Sequence, residues 1–443
     1  MFYTPGYLCV VDLPGANRFE SAIGPPGRGT GAMECAVELW QRAGLAVTQS
    51  EGWQTEPFRP ESLTLYMNNE CNLACVYCHT DPSPEPAARL ELDVIAAAAE
   101  VVAESCHRQG RPFYAVFHGG GEPTLHRERV DGAMALLEEV AAAHDVALFR
   151  YVATNGVMSE EKARWLVDRF DLIGLSCDGP PEVQNRQRPL WGGGGNADVL
   201  ERTGRILREE GCRFHVRTTI TGATLHRQAE IADYICQQFS PEEIHFEPVY
   251  VGGKTPVTDG LGVEQAEDFV AHFLAAREIA RQHDVLLMSS GSRPASIHGP
   301  YCHVYRSVLN LVPGGLATAC FKITDAAQVR AKGAAIGAMD GQTGRFEVNY
   351  RHIQALRRRL DVFLPECAAC FNRYHCARQC PDVCPLDGGF YPSHRALEPG
   401  FRCRVQKALT FATLREAAEG LWAAALARKA KGEGNIAHGM AIL

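Results

Sequence analysis

Short apolar runs and longer amphipathic stretches take turns along the chain from Leu63 to about Ser290. The short runs LTLYM, YAVFHG, LFRYVAT, LIGLSC, RFHVRTTI and IHFEPVYV are rich in β-branched and aromatic residues and read as strands. Between them, VIAAAAEVVAESC, VDGAMALLEEVAAA, EEKARWLVDRF, VLERTGRILREEG and QAEIADYICQQF carry apolar residues at helical spacing, and EDFVAHFLAAREIARQ follows the last strand. Strands alternating with helices predict an α/β unit over 61–290, a parallel sheet with helices outside. From Tyr301 to about Cys403 the pattern becomes irregular and cysteine-rich, with a hairpin expected in SVLNLV-PGG-LATACF. VQKALTFATLREAAEGLWAAALARKA reads as a helix, and the tail GEGNIAHGMAIL as a segment without a fixed place. In the leader, GYLCVVDL reads as a strand and AMECAVELWQRAGLAV as a helix followed by a strand. The expected division is 1–60, 61–290, 301–410 and 411–443.

A chain of 443 residues has room for two or three domains and a large core. With 44 basic against 52 acidic residues and no basic run, nucleic acid is not an expected partner. No apolar run approaches the roughly 18 residues of a membrane-spanning helix. The segment MFYTPGYLCVVDL lacks the basic region and long apolar core of a signal peptide, so a cytoplasmic location is expected. Seventeen cysteines without an export signal argue against a disulfide scaffold and for metal binding. The run Gly192–Gly195 reads as a flexible loop: no strand precedes it and no Lys-Ser/Thr follows.

Directly after LTLYM comes CNLACVYC, which places Cys71, Cys75 and Cys78 at C-x3-C-x2-C spacing. Three thiolates hold three irons of a cubane, whereas an ordinary [4Fe–4S] site uses four, so one iron is left open to a small molecule. A zinc knuckle lacking a ligand, or buried free thiols, is the plain alternative. The triplet, with Tyr77 before its last cysteine, resembles the radical SAM superfamily. The resemblance implies a partial (β/α)6 barrel, with the amino and carboxylate groups of S-adenosylmethionine (SAM) at the open iron. It also implies reductive cleavage of SAM to a 5′-deoxyadenosyl radical that abstracts hydrogen from carbon. In HGGGEPTLH, Gly120, Gly121, Glu122 and Pro123 match the family's segment at the SAM amino group, with Glu122 supporting its charge. Thr154 and Asn155, at the end of the third strand, and Ser176 and Asp178, at the end of the fourth, resemble segments lining the SAM site. Ser176 is then a donor to the SAM carboxylate or ribose. Asp178 accepts from a hydroxyl or holds an Asx turn. Arg217 pairs with the SAM carboxylate or is a buried structural arginine. Tyr77 packs beside the cluster or adenine, or is ordinary core.

A second cysteine array follows: Cys302-x12-Gly315-x4-Cys320, then Cys367-x2-Cys370-x5-Cys376-x3-Cys380, then Cys403. Two zinc sites are the alternative. The spacing resembles the seven-cysteine SPASM domain that follows the barrel in a large radical SAM subfamily. That likeness implies two auxiliary [4Fe–4S] clusters and so three clusters in all. Cys302, Cys320 and Cys380 would serve the inner auxiliary cluster. Cys367, Cys370, Cys376 and Cys403 would serve the outer one. Two closed cubanes need eight thiolates and the motif gives seven. Either the inner cluster has an open iron, or Cys384 in CPDVC closes it; His303 is the nearest candidate for a ligand other than cysteine. Cys9, Cys35, Cys106, Cys177, Cys212 and Cys236 read as thiols without a special role.

The combined likeness implies an enzyme that modifies peptides or proteins, with an electron donor such as a reductase, flavodoxin or ferredoxin. Residues 1–60 would be a cap or a small peptide-binding element. Sulfatase-maturing relatives carry an aspartate base directly after the cysteine matching Cys320, where this chain has Phe321 and then Lys322. Formylglycine formation is therefore disfavoured, and thioether or carbon–carbon crosslinking of a ribosomally made peptide is the leading expectation. A small-molecule dehydrogenase and a non-catalytic iron–sulfur carrier are the other readings.

Overall fold

Strand and helix formation follow the pattern of the sequence closely in the central part of the chain. The computed structural model describes residues 2–4, 7–10, 57–250 without 81, 84, 86 and 87, 259–293, 299–360, 367, 370–373, 375–380, 382, 384, 399–430 and 439–442. Strands β1 (Phe2–Thr4) and β2 (Tyr7–Val10) form an antiparallel pair. The six expected strands are all present as β3 (Ser62–Leu65), β4 (Phe113–Phe117), β5 (Leu148–Thr154), β6 (Leu172–Ser176), β7 (Phe214–Ile220) and β8 (Glu243–Pro248). They pair in that order, each parallel to the next. Helices Leu92–Gln109, Arg127–Ala143, Glu160–Arg169, Ala197–Glu209, Gln228–Phe239 and Ala266–Gln282 sit where helical spacing predicts them.

Side-chain alternation assigns the two faces of the sheet. Along β7, Phe214, Val216, Thr218 and Ile220 are buried in the helix-covered layer, while His215, Arg217 and Thr219 keep partial exposure. A strand sends successive side chains to opposite faces, so the second set lines the inside of the curved sheet. The first helix shows the complementary stripe: Val94, Ile95, Ala98, Ala99, Val102, Ala103 and Cys106 are buried. It stops at Gly110, whose left-handed backbone (φ 60°) returns its N–H to Cys106 and His107 carbonyls.

The sheet does not end at six strands. β9 (Leu286–Met288) adds a parallel strand beside β8. On the other edge, β10 (Val308–Val312) pairs parallel with β3, and β11 (Leu316–Thr318) completes the expected hairpin. β12 (Ala335–Met339) and β13 (Phe346–Val348) continue it antiparallel, giving eleven strands. The C-terminal helix runs Phe401–Ala430, starting before the expected stretch and taking Cys403 onto its first turn. The tail differs from expectation: β14 (Gly439–Ile442) pairs antiparallel with β2. That partner lies at the other end of the chain, so no local pattern announces it. The leader helix read from AMECAVELWQRAGLAV lies outside the described residues.

Candidate functional site

The chain leaves β3 at its carboxyl end and enters the cysteine loop. That loop is stitched to the segment before Trp191: Ala74 N–H donates to Pro189 O at 2.8 Å and Val76 N–H to Gln187 O at 2.9 Å. Trp191 Nε1 donates to Cys71 O at 2.8 Å, and Leu73 is fully buried as the loop's apolar anchor. Cys71, Cys75 and Cys78 are half-buried, and Cys78 lies close enough to disfavour ionisation of both Cys71 and Cys75. Burial pushes the Cys71 thiol up to about 12, with Glu122 adding to it. Burial pushes Cys75 to about 11 against the opposing pull of Arg188. Such thiols lose their protons once a metal supplies the missing positive charge.

Glu122, 4 % exposed, forms a clasp behind this loop. Its Oε1 accepts from Thr124 N (3.2 Å), Thr124 Oγ1 (2.7 Å) and Thr154 Oγ1 (2.8 Å), and its Oε2 from Asn155 N (2.8 Å). Asn155 Nδ2 donates to Asn72 Oδ1 at 2.7 Å and lies 3.8 Å from Cys71 Sγ. The ends of β4 and β5 thereby hold the cysteine loop. Gly120 and Gly121 are needed for close backbone approach: a Cβ would stand 2.5 Å from Asn68 O and 1.8 Å from Glu70 O, respectively. Pro123 is buried at the start of a single 3-10 turn that Glu122 caps.

A second tie joins the loop to β6 and β7. Asp178, fully buried, accepts from Tyr77 OH (2.7 Å), Gln187 Nε2 (2.9 Å) and Thr219 N (3.0 Å). Arg188 Nη1 donates to Tyr77 OH at 2.7 Å. Tyr77, Asp178 and Arg188 thus brace the loop beside Cys75.

The inward face of the sheet adds Tyr151, His215 and His245 to the expected Ser176 and Arg217. Arg217 pairs with Ser176 across the β6–β7 ladder and faces Glu247 and three tyrosines, Tyr151, Tyr250 and Tyr301. The rings of Tyr151, His215 and His245 stack, with centroids 5.7 and 4.7 Å apart. Tyr151 OH lies 3.3 Å from His215 Nε2. Gly174 makes room, since a Cβ there would lie 2.2 Å from Tyr151 OH. Burial lowers His118 and His215 to about 3 and His79 to about 4, with Arg217 adding to it at each, so these imidazoles are neutral. The signal was present: the polar residues of RFHVRTTI and IHFEPVYV recur every second position, as on one face of a strand. At the mouth, Phe321 makes edge contacts with His79, Tyr250 and Tyr301.

The second array resolves into two groups. Cys302, Cys320, Cys380 and Cys384 line one cavity together with Phe321 and Lys322. Cys376 is in electrostatic contact with Cys403, Cys367 and Cys370. Among the described residues, no three His, Cys, Asp or Glu side chains converge on a single metal ion. Thiols gathered around a shared space suit a cubane, which takes each thiolate on its own iron. The same donor chemistry fits at Cys71, Cys75 and Cys78. Of the remaining thiols, Cys106, Cys177 and Cys236 are buried and Cys212 is half-buried, while the side chains of Cys9 and Cys35 lie outside the described residues. No helix among the described residues is long and apolar enough to cross a membrane.

Residues 65–235 match the radical SAM superfamily. Among curated proteins, the chain is 23% identical over 169 residues to a cysteine-type anaerobic sulfatase-maturating enzyme of Clostridium perfringens, covering 37% of this chain and 45% of that one. It is 28% identical over 121 residues to a probable GTP 3′,8-cyclase of Methanocella arvoryzae, covering 27% and 35%. The chain thus spans less than half the length of these relatives. Among solved structures, native anSMEcpe with bound AdoMet superposes with a TM-score of 0.61 at 20% identity, over 81% of this chain and 99% of that one. Streptococcus suis SuiB bound to the precursor peptide SuiA superposes with a TM-score of 0.51 at 12% identity, over 84% and 83%. The chain therefore shares the fold of these two structures over most of its length, and its segment 65–235 matches the radical SAM superfamily.

Proposed function

We propose that this chain, which carries a radical SAM domain, is an enzyme that modifies a peptide or protein by hydrogen abstraction, and that its reaction is the oxidative crosslinking of a ribosomally made peptide. When bound at Cys71, Cys75 and Cys78, the cluster and SAM supply the 5′-deoxyadenosyl radical. The chain's own residues then have defined tasks. The Glu122 clasp and the Tyr77–Asp178–Arg188 brace fix the cysteine loop at the carboxyl end of β3. Ser176 and Arg217 meet the ligand from β6 and β7. Neutral His118 and His215 would offer hydrogen-bonding ring nitrogens to a substrate. The two cysteine groups in the second array would hold the auxiliary clusters.

One observation carries the reading: Cys71, Cys75 and Cys78 share one loop at the carboxyl end of β3, and that loop is held by the Glu122 clasp and the Tyr77–Asp178–Arg188 brace. Peptide substrates are supported by the fold shared with anSMEcpe and with SuiB, the latter solved with a precursor peptide. The likeness to a sulfatase-maturating enzyme favours formylglycine formation as the second reading. Against it stands Phe321, which fills the position after Cys320 with an aromatic cluster instead of a carboxylate base.

Reconstituted, reduced protein given SAM should release 5′-deoxyadenosine, and the triple variant Cys71→Ala, Cys75→Ala, Cys78→Ala should release none. Cleavage retained by that variant would overturn the cofactor assignment. With synthetic peptides bearing Cys, Trp and Tyr, crosslinking removes two hydrogens and yields no aldehyde. An aldehyde-reactive product would favour the second reading.

A further inference from the structure

We propose that Cys384 is the fourth thiolate of the inner auxiliary cluster, so that no iron of that cluster is open to substrate. The inference rests on the cluster reading above and concerns which residues complete it. Sequence spacing alone left two outcomes, an open iron or closure by Cys384. The fold separates them, because Cys302, Cys320, Cys380 and Cys384 border one cavity.

The described residues around Cys380 and Asp382 are tied in place by backbone bonds and by Arg402. Cys380 N–H donates to Ala377 O at 3.0 Å, after two left-handed residues, Arg378 (φ 54°) and Gln379 (φ 64°). Asp382 N–H donates to Gln379 O at 3.0 Å, and its Oδ2 accepts from Arg402 Nε at 2.7 Å. Arg402, 4 % exposed, also donates through Nη2 to Pro248 O and Val249 O, both at 2.9 Å. Arg402 thus ties Asp382, two residues before Cys384, to the carboxyl end of β8. The rival ligand His303 has its Nδ1 3.3 Å from Thr318 O and is not part of the cavity wall. Lys322 and Lys332 do face the cavity, placing positive charge beside an anionic, fully thiolate-ligated cluster.

The parent for the test is the triple variant lacking Cys71, Cys75 and Cys78, which retains two cubanes and about eight irons. In that background Cys384→Ala should lose iron, and its oxidised form should show the electron paramagnetic resonance signal of a three-iron cluster. Cys384→Ser should keep its iron and shift the reduction potential, because an oxygen replaces a sulfur donor. A Cys384→Ala protein with parental iron content, potential and spectrum would overturn the proposal. Alkylation mapping of the loaded parent needs no change at Cys384. Protection of Cys384 until the iron is chelated supports ligation, and ready alkylation in the loaded protein refutes it. A parent that holds far fewer than about eight irons would instead fail the cluster reading itself.

Discussion

Replacing Glu122 with glutamine tests whether this carboxylate is a clasp or only a ligand contact. The wild-type carboxylate accepts four hydrogen bonds, three at Oε1 and one at Oε2. Glutamine has one acceptor oxygen. Placed at the Oε1 position, it keeps Thr124 and Thr154 without the charge. Its amide nitrogen then faces the Asn155 N–H, donor against donor. One lost charge-assisted bond costs about 1.5–3 kcal/mol, and a buried N–H left unpaired about 1–3 kcal/mol. The two costs overlap, and a net loss of about 2–4 kcal/mol is expected. Urea unfolding of the unloaded full-length chain measures it. Glu161→Gln is the control, because the Glu161 side chain is 84% exposed and pairs only with Arg127 at the surface; it should cost less than about 0.5 kcal/mol. Loosening Asn155 should also loosen the loop, so iron retention at Cys71, Cys75 and Cys78 should fall together with stability. A Glu122→Gln protein as stable as wild type within about 0.5 kcal/mol, yet impaired in SAM binding, would refute the clasp.

Gly121→Ala should be more damaging than any change of charge nearby. Its new Cβ would stand 1.8 Å from the backbone oxygen of Glu70, which cannot swing away as a side chain would. A loss above about 3 kcal/mol in the same unfolding assay is expected; an alanine protein of wild-type stability would mean the two loops are not packed as described. A third expectation concerns pH. Burial, with His245, Arg217, His118 and Arg293 adding to it, holds His215 near 3 in the folded chain, below the roughly 6.5 of an unfolded histidine. Between those values the unfolded chain binds the proton and the folded chain does not. The stabilising effect is therefore complete above about pH 6.5 and lost as pH falls toward about 3. His215→Phe preserves a ring between Tyr151 and His245 and should flatten part of the stability decline between about pH 6.5 and 4. An unchanged slope would show that His215 contributes nothing to it.

What the chain discloses in advance depends on how local the physics is. Six strands and their helices were legible because each strand carries β-branched or aromatic residues and each helix an apolar stripe, patterns that complete themselves within about ten residues. β9 was missed because a three-residue strand is too short to show alternation, and β14 because its partner lies at the opposite end of the chain. The same division runs through the site. Cysteine spacing located every thiol, since a cluster imposes its spacing on the chain that wraps it. It could not say that Cys384 borders the same cavity as Cys302, Cys320 and Cys380, because the fold between them decides that. The glycines of HGGGEP carried a similar ambiguity. A glycine marks a close approach without naming what approaches, and here the neighbour is the backbone of Asn68 and Glu70. Polar side chains on the inward face stood in plain view at alternate positions of β7 and β8. They gained meaning only once the parallel register set His215 beside Tyr151 and His245, and Arg217 opposite Ser176. Register is a property of pairs of strands, so a site built across four strands becomes legible when the sheet order is known, even though each of its residues was visible before.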